Sequence, residues 1–135
     1  MANAAHPPTP NLLLAAASLS AVLSSHGSAR AAEPRALSDA DLLAYAAAPY
    51  DHSAMMGKRI TVGLHRGVAV VAEFPCSDVC PQYTRRIIHY DVAPGAACEA
   101  AGGVTQGQLV PFSIAVVMRD FCIPKPLARA ARSGR

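Results

Sequence analysis

Several of the sequence signals that identify enzymes are absent from this chain. It has no nucleophile elbow, no phosphate-binding glycine loop and no metalloprotease helix, and Gly102-Gly103 lacks the strand and helix that would flank a phosphate loop. The acidic residues are scattered singly, so no carboxylate pair falls at a spacing typical of general acid–base catalysis. These absences leave catalysis without positive support, and no catalytic residue is assigned.

Aromatic residues and net charge are also scarce. Tryptophan is absent, aromatic residues make up 5% of the chain, and the formal net charge is only +3. So small a charge does not indicate a nucleic-acid or membrane-surface partner. A length of 135 residues allows one domain, and a hydrophobic content of 52% is typical of a globular protein. Arginine far outnumbers lysine, a composition typical of GC-rich bacterial coding sequences.

The N-terminal region has the features of an export signal. Its first 29 residues contain no Asp, Glu, Lys or Arg. The apolar run at residues 12–23 is too short to span a bilayer, which needs about 20 residues, but it suits a signal peptide. Ala29-Arg30-Ala31 fits the cleavage pattern, and no cysteine follows the run directly to carry a lipid anchor. We therefore predict a signal peptide over 1–31 and a periplasmic or secreted protein without a stable membrane anchor. Its partner is unknown, and an envelope protein is one candidate.

A capped helix is predicted directly after the leader. Ser38 is a good N-cap with Asp41 three residues later, and Leu37 and Leu42 occupy the positions of a hydrophobic staple. Pro49 ends the helix, which we expect over residues 39–48.

Strand signals follow the helix. Ile60, Val62 and Leu64 alternate with less apolar residues, and residues 59–74 predict a hairpin that turns at His65-Arg66-Gly67. Further strands are predicted over 84–92 and 109–119, with a helical turn at 96–101 and a loop at 104–108. The expected fold is a small α+β domain over 32–124, with one N-terminal helix on a mainly antiparallel sheet of about four strands. Residues 125–135 are expected to form a basic, disordered tail.

The four cysteines, Cys76, Cys80, Cys98 and Cys122, are the candidate disulfide partners. An even number of cysteines behind an export signal favours disulfides, and the sequence alone allows three pairings. Cys76 and Cys80 could bridge each other, or each could pair with one of the two later cysteines. The spacing lacks the paired short knuckles of a structural zinc site.

The cysteine loop also carries a resemblance to a known family. Its sequence, Cys76-Ser77-Asp78-Val79-Cys80-Pro81 after a strand, resembles the signature of the Sco copper chaperones. That resemblance implies a thioredoxin-like fold and a copper ion held by Cys76, Cys80 and a distant histidine, for which His52, His65 and His89 are the candidates. Ser77 stands where the family has proline, and the predicted strand over 84–92 stands where the family has a helix.

Two further groups of polar residues are candidates for chemistry. His52, Met55 and Met56 are borderline or soft ligands that would suit copper, although a connector filled by the two methionines is the favoured interpretation. His89 and Asp91 lie on the same face of a predicted strand, about 7 Å apart, where a carboxylate could orient a histidine. A solvated strand face is favoured there.

The favoured function is therefore a non-catalytic binding or structural module with no cofactor and no metal. The alternative is thiol–disulfide exchange or copper handling at Cys76 and Cys80.

Overall fold

The computed structural model of the protein describes residues 4–5 and 33–133. Residues from Pro34 onward form one compact unit, which holds every helix and strand described. The predicted signal peptide, apart from Ala4 and Ala5, lies outside the described residues and stays a prediction. Within the described ranges, no helix is long and apolar enough to cross a membrane.

This unit is an α+β domain, which confirms the predicted class. Its strands are Ala36–Leu37 (β1), Arg59–His65 (β2), Val68–Glu73 (β3), Ile87–Tyr90 (β4), Gly103–Phe112 (β5) and Ala115–Pro124 (β6). Its helices are Asp39–Ala47 (α1), His52–Met55 (α2), Ala96–Ala100 (α3) and Lys125–Ser133 (α4). The strands form one mixed sheet in the order β1-β2-β3-β4-β6-β5, in which β1 runs parallel to β2.

The capped helix forms as its local signals predict. The Ser38 hydroxyl accepts a hydrogen bond from the Asp41 amide at 3.1 Å, and the Ser38 amide donates to the Asp41 carboxylate at 2.9 Å. Leu37 and Leu42 are both buried in the main core cluster. The cap and the staple therefore fix where α1 begins and which side of it faces the sheet.

The predicted hairpin is also confirmed, with one departure in its burial pattern. The β2–β3 turn places Arg66 and Gly67 at φ 51° and 78°, the conformation that suits a two-residue hairpin. The pairing register shifts between Thr61 and Gly63. The alternation predicts that Ile60, Val62 and Leu64 face inward, but Ile60 is exposed, Val62 and Leu64 are partly buried, and the buried positions of β2 are Gly63 and His65.

The sheet has six strands rather than about four. The segment 109–119, predicted as one strand, belongs to two antiparallel strands that turn at Ser113 and Ile114. Val104–Gln108, predicted as a loop, lies within β5. Ser113 adopts a φ of 55° although it is not glycine. The sequence at the hairpin tip therefore lacks the glycine that usually marks such a turn.

The predicted disordered tail is wrong for most of its length. Residues 125–133 form α4, whose Leu127 and Ala128 pack against the core. Pro126 lies in the first turn of this helix, where a residue without an amide proton leaves no helical hydrogen bond unmade. The domain therefore has two helices of nine residues, α1 and α4, which contact each other.

The two parts of the sheet, β1–β4 and β6–β5, meet at a narrow joint. β4 pairs with β6 at Tyr90 and Cys122, and the Cys98–Cys122 disulfide lies buried beside this pair. Gly103 packs so closely here that a Cβ atom would overlap both sulfurs and touch the Tyr90 ring. The buried disulfide is therefore part of the core.

We expect the two disulfides to differ in their contribution to stability. On the chain-entropy relation, closing the loop between Cys98 and Cys122 contributes about 3.5 kcal/mol, and closing the Cys76–Cys80 loop contributes about 2 kcal/mol. Removing the buried sulfurs also leaves a cavity, so Cys98→Ala/Cys122→Ala should lower the free energy of unfolding more than Cys76→Ser/Cys80→Ser. Urea unfolding of both double variants measures this difference. Equal losses would contradict it.

Candidate functional site

The cysteine pairing is settled by geometry. Cys76 is bonded to Cys80, with Cα atoms 5.8 Å apart, and Cys98 is bonded to Cys122, with Cα atoms 5.4 Å apart. Cys98 and Cys122 are 0% and 1% exposed, whereas Cys76 and Cys80 are partly exposed. The four candidate disulfide residues thus form one buried bridge and one accessible bridge.

The loop that the accessible bridge closes, residues 77–80, is tied to the domain mainly at its start. The Gly57 amide donates to the Cys76 carbonyl at 2.7 Å, and the Cys76 amide donates to the Phe74 carbonyl at 2.8 Å. Residues 77–80 form no backbone-to-backbone hydrogen bond within the described part of the chain. Beyond Cys76, the disulfide and the peptide bond to Pro81 are their covalent links to the domain.

A cleft of about 630 Å³ separates this loop from the tip of the β5–β6 hairpin. Ser77, Asp78 and Val79 line one side, and Phe112 and Val117 line the other. Glu73 and Arg119 also line the cleft and form an ion pair of 3.0 Å. The cleft therefore combines an apolar hairpin tip with a charged pair that is already neutralised.

Glu73 is the centre of a polar cluster that joins three strands. One carboxylate oxygen faces His89 Nε2 at 3.0 Å, and the other accepts from Arg119. Burial acts to raise the pKa of Glu73, but the hydrogen bonds from Arg119 and His89 outweigh it and lower the pKa overall. The Phe121 ring contacts both partners of Glu73, with its centroid 5.0 Å from that of the His89 ring and 4.6 Å from the Arg119 guanidinium carbon.

The predicted pairing of His89 with Asp91 is not formed. Asp91 instead accepts from Arg59 at 2.6 Å on the surface. His89 is buried rather than solvated, because its strand β4 lies between β3 and β6. The sequence pattern missed Glu73 as its partner because the contact depends on which strands are neighbours.

The described residues form little preorganised geometry for binding copper. No cluster of three or more His, Cys, Asp or Glu side chains suited to a metal occurs among the described residues. His52 stacks on the Tyr50 ring at 4.7 Å, and His65 is buried in a separate network. The segment after Pro81 is a loop that leads into β4, whereas the resemblance to Sco chaperones implies a helix there.

The His65 network braces α1 against the sheet. His65 Nε2 lies 2.7 Å from the Asp39 carboxylate in the first turn of α1, and Nδ1 lies 2.6 Å from the Tyr90 hydroxyl. The hydrogen bond from His65 lowers the pKa of Asp39, and burial raises the pKa of Tyr90. Tyr90 and His65 are each 1% exposed, so this part of the network lies in the core.

An apolar groove of about 700 Å³, here called the α1–α4 groove, is lined by residues of α1, α4 and the sheet. Nine apolar residues line it: Leu43, Ala46, Ala47, Ile87, Ile88, Ile123, Leu127, Ala130 and Ala131. Its polar lining consists of Tyr50, Arg85, Arg86, Gln106 and Gln108, with no acidic residue. Such a volume with few polar groups is typical of a small-molecule site.

Arg86 is the best-positioned charge in the groove. Its guanidinium carbon lies 4.5 Å from the Tyr45 ring centroid and 4.3 Å from that of Tyr50. One guanidinium nitrogen donates to the Tyr45 carbonyl at 2.8 Å, and the Arg86 amide donates to the Tyr50 hydroxyl at 2.9 Å. Among the described residues, no carboxylate lies within ion-pair distance of Arg86. A fixed, half-buried cation without an anionic partner is suited to bind one.

No protein-family model, curated protein sequence or solved structure matches this chain.

The Glu73 cluster predicts a specific dependence of stability on pH. Because folding lowers the Glu73 pKa, its contribution is present above the unfolded value near 4.5 and is lost as pH falls through the folded value. Glu73→Gln should lower the free energy of unfolding by about 1–3 kcal/mol at pH 7 and flatten its fall below pH ~4.5. Urea unfolding at several pH values measures both effects.

Asp91→Asn is the matched control for that experiment, because Asp91 also pairs with an arginine but is half exposed. We expect it to cost no more than about 1 kcal/mol. If the two variants lose stability equally and keep the wild-type pH profile, the Glu73 cluster has no special role.

Proposed function

We propose that this protein is a non-catalytic binding module that takes an amphipathic anion in the α1–α4 groove. The ligand would be a small molecule with an apolar body and one carboxylate or similar anionic group. The observation that carries the proposal is Arg86, a half-buried guanidinium without a carboxylate partner, set in a groove that no acidic residue lines.

The two parts of such a ligand match the two kinds of lining. The alanines of α1 and α4 leave room for an alkyl chain above the isoleucine side chains of the sheet. The Tyr45 and Tyr50 rings hold the Arg86 side chain in place, so little side-chain entropy is lost when an anion binds. Arg85 lies in the same groove and adds positive charge near the anionic group.

Export is part of this proposal. The two disulfides are compatible with an oxidising compartment, and the apolar run with its cleavage pattern supports a signal peptide over residues 1–31.

Dodecanoate is a suitable probe of the groove, measured by calorimetry below its micellar concentration. Burying part of the chain at ~0.8 kcal/mol per methylene, together with one charge contact, predicts a Kd on the order of 1–100 μM. Dodecanol, which keeps the chain and lacks the charge, should bind at least about tenfold more weakly, since a charged hydrogen bond contributes about 1.5–3 kcal/mol.

Variants then locate the site. Arg86→Gln should weaken dodecanoate binding about tenfold or more, whereas Arg86→Lys should retain part of it. Arg59→Gln is the matched control, because it removes a surface arginine that does not line the groove. Ala46→Leu should weaken dodecanoate and dodecanol alike by filling the groove. The proposal fails if dodecanoate does not bind, or if Arg86→Gln and Arg59→Gln bind it equally well.

Export is tested separately by expressing the full chain with its N-terminal region in a bacterium. We expect the periplasmic or secreted product to begin near Ala32, as read by intact mass. A full-length product retained in the cytoplasm would contradict the export proposal and leave the groove proposal untouched.

A further inference from the structure

We infer that the Cys76–Cys80 disulfide is an exchangeable bridge that accepts two electrons from a dithiol, while Cys98–Cys122 stays intact. The proposed co-reactant is a dithiol protein or small dithiol in the same compartment. This inference does not depend on the α1–α4 groove.

The two disulfides differ in how easily an attacking thiolate can reach them. The three residues between Cys76 and Cys80 are all exposed, and Val79 at the end of that segment is 88% exposed. An attacking thiolate must approach the disulfide sulfur directly, so its access controls the rate of exchange. Cys98 and Cys122 lie in the core beside Tyr90, where an attacking thiolate reaches them only after the domain opens.

The two sulfurs of the accessible bridge are held differently. Cys76 is fixed by backbone hydrogen bonds on both its amide and its carbonyl. Cys80 lies in the segment without backbone-to-backbone hydrogen bonds, so it can move to accommodate a bulky partner. Cys80 is therefore the sulfur expected to carry the mixed disulfide.

The exchange balances in two steps. One thiolate of the dithiol attacks Cys80 Sγ, forming a mixed disulfide and expelling the Cys76 thiolate, which takes up a proton from water. The second thiolate of the dithiol then attacks its own bonded sulfur, closing a cyclic disulfide and releasing the Cys80 thiolate. The dithiol is oxidised by two electrons and the bridge is reduced by two.

Opening the bridge would alter the neighbouring cleft. Ser77, Asp78 and Val79 line one side of that cleft, and without the disulfide they are linked to the domain through Cys76 and Pro81 alone. Glu73 and Arg119, which belong to strands, would stay in place. The redox state of the bridge would thus set whether the cleft has one rigid side or two.

The first test is timed reduction of the folded, oxidised protein with dithiothreitol, followed by alkylation and intact mass. We expect a species with two alkylated cysteines, mapped to Cys76 and Cys80, to form at least about tenfold faster than the four-alkylated species. Glutathione disulfide should restore the bridge. The inference is overturned if both bridges open at one rate, if Cys98–Cys122 opens first, or if neither opens without denaturant.

The second test compares single-cysteine variants. Cys76→Ser leaves Cys80 as the free thiol of the loop, and Cys80→Ser leaves Cys76. We expect the Cys80 thiol to form a mixed disulfide with glutathione disulfide several times faster than the Cys76 thiol at equal pH. Cys76→Ser/Cys80→Ser should form none, which controls for the buried pair. Equal or reversed rates would show that Cys80 is not the preferred sulfur.

Discussion

The contact between Tyr90 and Cys122 is the constraint on which the rest of the domain depends. It is the strand pair that connects β1–β4 with the β5–β6 hairpin. Three features surround it: the Cys98–Cys122 bridge, the close packing at Gly103 and the hydrogen bond between Tyr90 and His65. Because β4 and β6 pair over so few residues, their backbone hydrogen bonds contribute little to stability. The side chains around the joint must therefore hold the two strands together. Loss of packing at this point would separate two sub-sheets that are each well paired internally.

The α1–α4 groove and the cleft beside the cysteine loop depend on the same joint. The floor of the α1–α4 groove takes Ile87 and Ile88 from one part of the sheet and Ile123 from the other. The cleft beside the cysteine loop is likewise bounded by residues of β3 and of the β5–β6 hairpin, with the Glu73–Arg119 ion pair connecting them. A ligand in either place would therefore contact both parts of the sheet and hold them together, which links binding to stability.

The features that could be predicted from the sequence are those specified within a few residues. The capping box of Ser38 and Asp41 and the two-residue turn of the first hairpin have side chains or φ preferences that mark them locally. The second hairpin could not be predicted, because its turn at Ser113 interrupts an apolar alternation without glycine or proline. The Glu73–Arg119 contact and the groove lining depend on strand order and helix placement, and neither is specified by local spacing. The cysteines were identifiable as a set, but their pairing required the fold.

The disulfide connectivity also determines how the folded chain would respond to a break in its backbone. Each bridge closes within its own part of the sheet, one beside β3 and the other around the β5–β6 hairpin. No disulfide bridges residues 81–86, because both cysteines of each pair lie on the same side of that segment. A single proteolytic cut in the segment between Pro81 and Arg86, much of which is exposed, would leave two fragments associated only by non-covalent contacts, even in fully oxidised protein. A protease can cut this segment only when the segment detaches from the domain. The resistance of the protein to such a cut therefore depends on how rarely the segment detaches, and the disulfides do not protect it.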